Sequence, residues 1–175
     1  MTQYSKRMVI VHWLTFALLI AAWYFGDSLA EATDESKATL TGYIVHLSLG
    51  AAVLLLALFR LYYRRKDGVP APMGDTSLDK LAKGIHYLLY AVLFLLPVTG
   101  IAIIFNSKAG AALWAGDGSL LPKEHGFKDI FSHEIHEQLV NVLIALVVVH
   151  MIGAIYHQFI KKDGLMSRMA LPKKD

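Results

Sequence analysis

The sequence has no cysteine among its 175 residues. This absence excludes disulfides, CxxC redox chemistry, thiolate-held clusters and the covalent attachment of a c-type haem. Charged residues are scarce, at 18%, whereas 55% of the residues are hydrophobic and the mean hydropathy is +0.47. That composition indicates an integral membrane protein, for which we expect no nucleic-acid partner. The eight histidines are then the main candidates for transition-metal ligands besides carboxylates.

Four apolar runs are long enough to cross a bilayer as helices, which takes about 20 residues each. They predict an all-α fold, an integral membrane four-helix bundle of up-down-up-down topology, with helices at about 8–26, 40–63, 80–105 and 133–160. The first run follows Lys6 and Arg7 as a signal peptide would, but Trp23 is unlike a cleavage region, so we expect a retained helix. Ser77 is a plausible N-cap for the third helix. No repeat or break in composition divides the chain, which predicts a single domain over all 175 residues.

The distribution of lysine and arginine predicts the orientation in the membrane. Four helices place both termini and the 64–84 connector on one side, and that side holds thirteen of the 17 lysines and arginines. The other side holds Lys37, Lys108, Lys123 and Lys128. Because basic residues stay preferentially in the cytoplasm, both termini of this multi-pass protein are predicted to be cytoplasmic.

The last apolar run, His133–Ile160, carries His136 and His150 fourteen residues apart. Fourteen helical residues turn through about 1400°, which is about 40° short of four full turns. The two imidazoles therefore point to nearly the same side of the helix, about 21 Å apart along its axis.

The predicted depths of the intramembrane histidines give two pairs. His46 and His136 lie toward the outer side, and His12 and His150 toward the inner side. Ionisable residues inside a bilayer are costly and usually functional. The alternative is that each histidine only forms a hydrogen bond across a helix interface.

Zinc, copper and haem iron are the candidate metals for these pairs. Zinc prefers about four protein ligands at one site, and each depth offers two. Two opposed imidazoles match the two axial positions of a porphyrin, and the core of a helix bundle is a suitable place for one. Gly42, Gly50 and Gly153 would leave room for a flat macrocycle, although close helix packing explains them equally well.

Two of the remaining histidines, and the arginines of the second helix, have two interpretations each. His86 and His157 are either interfacial or proton donors near a quinone site, since histidine titrates close to neutral pH. His125 and His133 are expected to face solvent. The arginines Arg60, Arg64 and Arg65 are orientation signals, or else partners of haem propionates on the cytoplasmic side.

Four motifs occur in order along the chain: IVHW, then YIVHLSLG with LFRLYYR, then LLPVTGIAIIF, and finally HEIHEQLVNVLIALVVVH. Together they resemble the bacterial cytochrome b561 family, and the resemblance covers essentially the whole chain. It implies an iron-containing membrane cytochrome with two b haems per chain, each held by two histidines. The implied ligands are His12 and His150 for the inner haem, and His46 and His136 for the outer haem.

The resemblance also implies transmembrane electron transport. The most specific activity in the family is that of a superoxide:ubiquinone oxidoreductase, which oxidises superoxide on the periplasmic side and reduces ubiquinone. In that case Lys108, Lys123 and Lys128 would steer superoxide toward the outer haem.

An alternative is a haem b subunit that passes electrons between a periplasmic redox protein or a dehydrogenase and the quinone pool. The outer segments carry nine acidic residues against four lysines, which would repel an anion and suit a docking surface. A third possibility is a structural or transport protein whose histidines bind no haem.

Overall fold

The computed structural model of the chain describes residues 3–30, 39–121 and 130–171. Within these ranges the fold is all-helical and no strand occurs. The α-helices are α1 (Lys6–Ala30), α2 (Leu40–Lys66), α3 (Ser77–Asn106), α4 (Ala109–Ala115) and α5 (Phe131–Ile155). A π-helix (Tyr156–Lys161) continues α5, and 3-10 helices cover Gly118–Leu120 and Leu165–Met169.

Four helices are long and apolar enough to cross a membrane: Lys6–Leu29, Leu40–Lys66, Ser77–Phe105 and Phe131–Lys161. This confirms the predicted fold class, and each helix extends a few residues beyond its predicted span. Large apolar side chains such as Trp23, Leu55 and Ile152 are about half exposed along these helices. Such an outward-facing apolar surface is what a bilayer requires of a spanning bundle.

Local capping explains where two of the spanning helices begin. Thr39 caps α2, because its hydroxyl accepts a hydrogen bond from the backbone N–H of Gly42 at 3.1 Å. Thr76 caps α3 in a reciprocal capping box with Asp79. The expected N-cap at Ser77 is therefore wrong by one residue, since Ser77 is already the first helical residue.

The bundle is built from two helix pairs. Contacts between helices are most extensive between α1 and α2 and between α3 and α5, and a smaller α2–α3 contact joins the two pairs. The buried residues Val53 and Leu93 form one core cluster, and Val92 and Leu143 belong to a second. Leu19 packs against both clusters, so a continuous apolar layer crosses the middle of the bundle.

The first and last described segments and the α2–α3 connector meet at one end of the bundle, which we call the termini end. The backbone N–H of Tyr4 donates to the carbonyl of Arg168 at 3.1 Å, and the guanidinium of Arg168 donates to the carbonyl of Ala71 at 2.7 Å. The opposite end, the loop end, carries α4 and the 3-10 helix in which Gly118 lies beside Leu40. This arrangement agrees with an up-down-up-down topology.

Candidate functional site

Two pairs of imidazole rings face each other at the two ends of the membrane-spanning region. The ring centres of His46 and His136 are 6.2 Å apart, and those of His12 and His150 are also 6.2 Å apart. The ring planes are inclined by 71° and 69°, respectively. The structure therefore brings together the two pairs that the sequence predicts.

At the loop end, Nδ1 of the histidine on α2 takes part in a hydrogen bond. Nδ1 of His46 lies 2.9 Å from the carbonyl oxygen of Ala22 on α1. A carbonyl can only accept a hydrogen bond, so Nδ1 carries the proton and the Nε2 lone pair remains. That tautomer is the one in which Nε2 can bind a metal.

The opposing histidine has the same tautomer for a different reason. Nδ1 of His136 lies 2.9 Å from the hydroxyl oxygen of Thr99 on α3. The Thr99 hydroxyl already donates its proton to the backbone carbonyls of Leu95 and Leu96, at 3.1 and 2.9 Å. It must therefore accept from Nδ1–H of His136, which again leaves Nε2 as the available nitrogen. Metal-binding histidines are usually oriented by such a second hydrogen bond.

Two glycines make space for the loop-end rings. A Cβ atom added to Gly26 would lie 2.8 Å from Cε1 of His46, and one added to Gly100 would lie 3.5 Å from Cε1 of His136. The three glycines that the sequence suggests for this purpose are different ones. Of those, Gly42 would meet Leu29 and Thr39, whereas a Cβ at Gly50 or Gly153 would meet no described atom within 4 Å.

The termini-end pair is extended by a third imidazole. His86 on α3 has its ring centre 5.1 Å from that of His150, and its Nδ1–H donates to the carbonyl of Ala82 at 2.8 Å. His86 therefore lies beside the termini-end pair, because the start of α3 packs beside α5. His12, His86 and His150 thus come from three different helices.

An arginine on α2 and a tyrosine on α3 complete the termini-end site. The guanidinium of Arg60 on α2 donates to Nδ1 of His12 at 2.8 Å and lies over the Tyr90 ring, 5.4 Å from its centre. Nε of Arg60 and the hydroxyl of Tyr90 are buried without a hydrogen-bond partner among the described residues. At the loop end, the hydroxyl of Ser132, one turn before His136, is likewise buried without a hydrogen-bond partner among the described residues.

Two of the other candidate residues, His157 and Lys108, lie within the part of the chain that the structure describes. Nδ1 of His157 is 2.6 Å from a carboxylate oxygen of Asp163. Burial alone would raise the pKa of Asp163, but the hydrogen bond from His157 holds this pKa below its usual range. Lys108 precedes α4 at the loop end, whereas Lys123, Lys128 and His125 lie outside the described residues.

The donor set favours a cofactor that brings most of its own ligands. Among the described residues, no group of three or more His, Cys, Asp or Glu side chains could hold a metal ion. An imidazole nitrogen binds a metal at about 2 Å. Two such bonds in line place the nitrogens about 4 Å apart, and each ring centre lies about 1 Å further back, so ring centres about 6 Å apart are expected. The observed 6.2 Å at both pairs would leave room for one metal ion between the two imidazoles, and a porphyrin would supply the remaining ligands.

The fold is that of a helical membrane protein in which two pairs of imidazoles face each other between the helices. The model of the family described as prokaryotic cytochrome b561 matches residues 3–171 of the chain. The chain belongs to this family. Membership implies a b-type haem as cofactor and supports electron transfer in a bacterial membrane.

Three relatives align over nearly their whole length. Cytochrome b562 of Cereibacter sphaeroides is 29% identical, with 97% of this chain and 96% of the relative covered. The probable superoxide oxidase CybB of Yersinia pestis is 27% identical, with 98% and 97% covered. Cytochrome b561 homolog 1 of Escherichia coli is 26% identical, with 99% of both chains covered.

Proposed function

We propose that this chain transfers electrons across the membrane with two b haems, one at His12–His150 and one at His46–His136. The observation that carries the proposal is the equal separation of 6.2 Å between the ring centres of both pairs. A b-type haem bound at each pair would supply one-electron redox chemistry. The chain contributes axial nitrogens, fixes the loop-end imidazoles through Ala22 and Thr99, and excludes water with its apolar middle layer.

The proposed orientation places the termini end in the cytoplasm and the loop end in the periplasm of the bacterial inner membrane. The support is the concentration of thirteen of the 17 lysines and arginines on the side of the termini. Arg64, Arg65 and Lys66, which end α2, belong to this set. The His12–His150 pair is then the inner one.

The most specific form of the proposal is oxidation of superoxide at the loop end and reduction of ubiquinone nearer the termini end. Its support is the name of the Yersinia relative, a probable superoxide oxidase at 27% identity. Lys108, Lys123 and Lys128 are the candidates for steering superoxide. His86 and His157 are the candidates for delivering protons to the quinone. His86 keeps an Nε2 lone pair beside His150, and His157 is paired with Asp163.

A second candidate is an electron-transfer subunit that receives electrons from a periplasmic redox protein. The acidic residues of the loop end favour it. Those within the described part of the chain are Asp27, Asp117, Glu134 and Glu137. A negative surface attracts a basic partner and slows an anionic substrate such as superoxide.

One stopped-flow experiment separates the two candidates. The purified protein is mixed with enzymatically generated superoxide, and haem reduction is followed optically with and without superoxide dismutase. Rapid reduction that the dismutase abolishes, followed by reoxidation on adding ubiquinone, supports the oxidase. Haems that only dithionite reduces support the partner-dependent subunit, and a colourless protein contradicts both.

A further inference from the structure

Two neighbouring side chains, Arg60 beside His12 and Tyr90 beside Arg60, each carry a buried polar group that lacks a hydrogen-bond partner among the described residues. Nε of Arg60 and the hydroxyl of Tyr90 have no hydrogen-bond partner among the described residues, although the two side chains stack at 5.4 Å. Buried polar groups are almost always paired, because an unpaired one loses its hydration without compensation. Since the guanidinium can only donate, the partner it requires is an acceptor, and a carboxylate matches its planar set of donors best.

The position of Arg60 on α2 places it at the level of the termini-end pair. Arg60 follows His46 by fourteen residues, the same spacing that separates His136 from His150 on α5. It therefore lies on nearly the same side of α2 as His46, about 21 Å further along the helix. Tyr90 is one turn beyond His86, whose ring meets His150. Both unpartnered groups thus belong to the termini-end site.

The hydrogen bond between Arg60 and His12 conflicts with ligation by His12. The guanidinium donates to Nδ1 of His12, so a neutral His12 must carry its proton on Nε2. A nitrogen that carries a proton has no lone pair for a metal. Nε2 of His12 can become a ligand only when the guanidinium leaves Nδ1 and the proton occupies that position instead.

We propose that Arg60 and Tyr90 form the carboxylate-binding part of the termini-end site, and that a propionate of the bound haem draws the Arg60 guanidinium away from His12. Carboxylate binding and release of His12 for ligation are then one coupled event. Arg60 is a positioning residue for His12 as well as a charge partner for the propionate. The inference rests on the proposed function, because it takes His12 and His150 as ligands.

The test is a spectroelectrochemical redox titration of the purified holoprotein in which the two haems are resolved. Arg60→Gln is expected to lower the midpoint potential of the termini-end haem, because an uncompensated carboxylate stabilises the ferric state. The loop-end haem should keep its potential. Arg60→Lys should restore much of the loss, and Tyr90→Phe should give a smaller shift in the same direction.

Arg168→Gln is the control, since it removes the same charge at the termini end, where this guanidinium donates only to the backbone carbonyl of Ala71 among the described residues, and it should leave both potentials unchanged. Two haems with unshifted potentials in Arg60→Gln would overturn the inference while leaving the proposed function intact. If Arg60→Gln loses the haem altogether, Arg60→Lys and Tyr90→Phe decide: shifted potentials support the inference and unshifted ones overturn it. A wild-type chain without haem would instead overturn the proposed function, and this inference with it.

Discussion

The Thr99 hydroxyl accepts the Nδ1 proton of His136 at 2.9 Å, because its own proton is committed to the backbone of α3. One helix thereby sets the tautomer of a histidine on another. The α3–α5 pair is thus more than a packing contact, since it fixes which nitrogen of His136 is available to a metal.

Replacing this hydroxyl should weaken the binding of haem at the loop end. We expect Thr99→Val to reduce haem affinity at His46–His136 by about 10- to 100-fold, the usual effect of losing a group that orients a metal ligand. The measurement is loss of haem to an excess of apomyoglobin, followed optically. Thr99→Ser should retain the haem. Thr15→Val is the control, because it removes a buried hydroxyl whose one hydrogen bond to a described residue is to the carbonyl of Val11. Equal haem loss in both valine variants would contradict this role.

Gly26→Ala should disturb the same site from the side of α1. Its Cβ would lie 2.8 Å from the His46 ring, so the ring must turn and lose its hydrogen bond to Ala22. Overpacking of this kind costs about 1–3 kcal/mol, and we expect a lower temperature for release of the loop-end haem. Gly84→Ala, where a Cβ meets nothing within 4 Å, should leave that temperature unchanged or slightly higher. Equal release temperatures for both variants would argue against a tight fit at Gly26.

Removing a single ligand should empty one site and spare the other. His46→Ala and His136→Ala should each reduce the haem content from two to one per chain and retain the termini-end haem. His12→Ala and His150→Ala should retain the loop-end haem. Haem content and the reduced spectrum of each variant measure this outcome. Retention of both haems in any of the four variants would contradict the ligand assignment.

The cysteine-free sequence makes the orientation easy to measure. Ser119→Cys at the loop end and Ser167→Cys at the termini end each introduce a single thiol at an exposed position. In intact spheroplasts, a membrane-impermeant maleimide should label the first and not the second until the membrane is opened. The reverse pattern would place the termini in the periplasm.

Much of the fold could be predicted from the sequence, because it depends on long apolar runs that only a bilayer accommodates. The short elements could not. The helix Ala109–Ala115 is only seven residues long, and the π-helix after Ile155 differs from an α-helix only in its hydrogen-bond spacing. Neither element produces a hydrophobic periodicity that would distinguish it from the neighbouring sequence.

The two histidine pairs could likewise be predicted, since depth follows from helix direction and position. Their supporting groups could not, because the contact of Ala22 with His46 and that of Thr99 with His136 depend on how separate helices rotate against one another. Arg60 is an intermediate case. Its spacing of fourteen residues from His46 was visible in the sequence and could have placed it at the level of the termini-end pair.

The most direct test of two bis-histidine sites is the haem content of the purified wild-type chain, combined with a reduced-minus-oxidised spectrum and a redox titration. Two b haems per chain are expected, both six-coordinate and low-spin, titrating in two one-electron steps. A single haem per chain, or a high-spin spectrum that shows an open axial position, would contradict it.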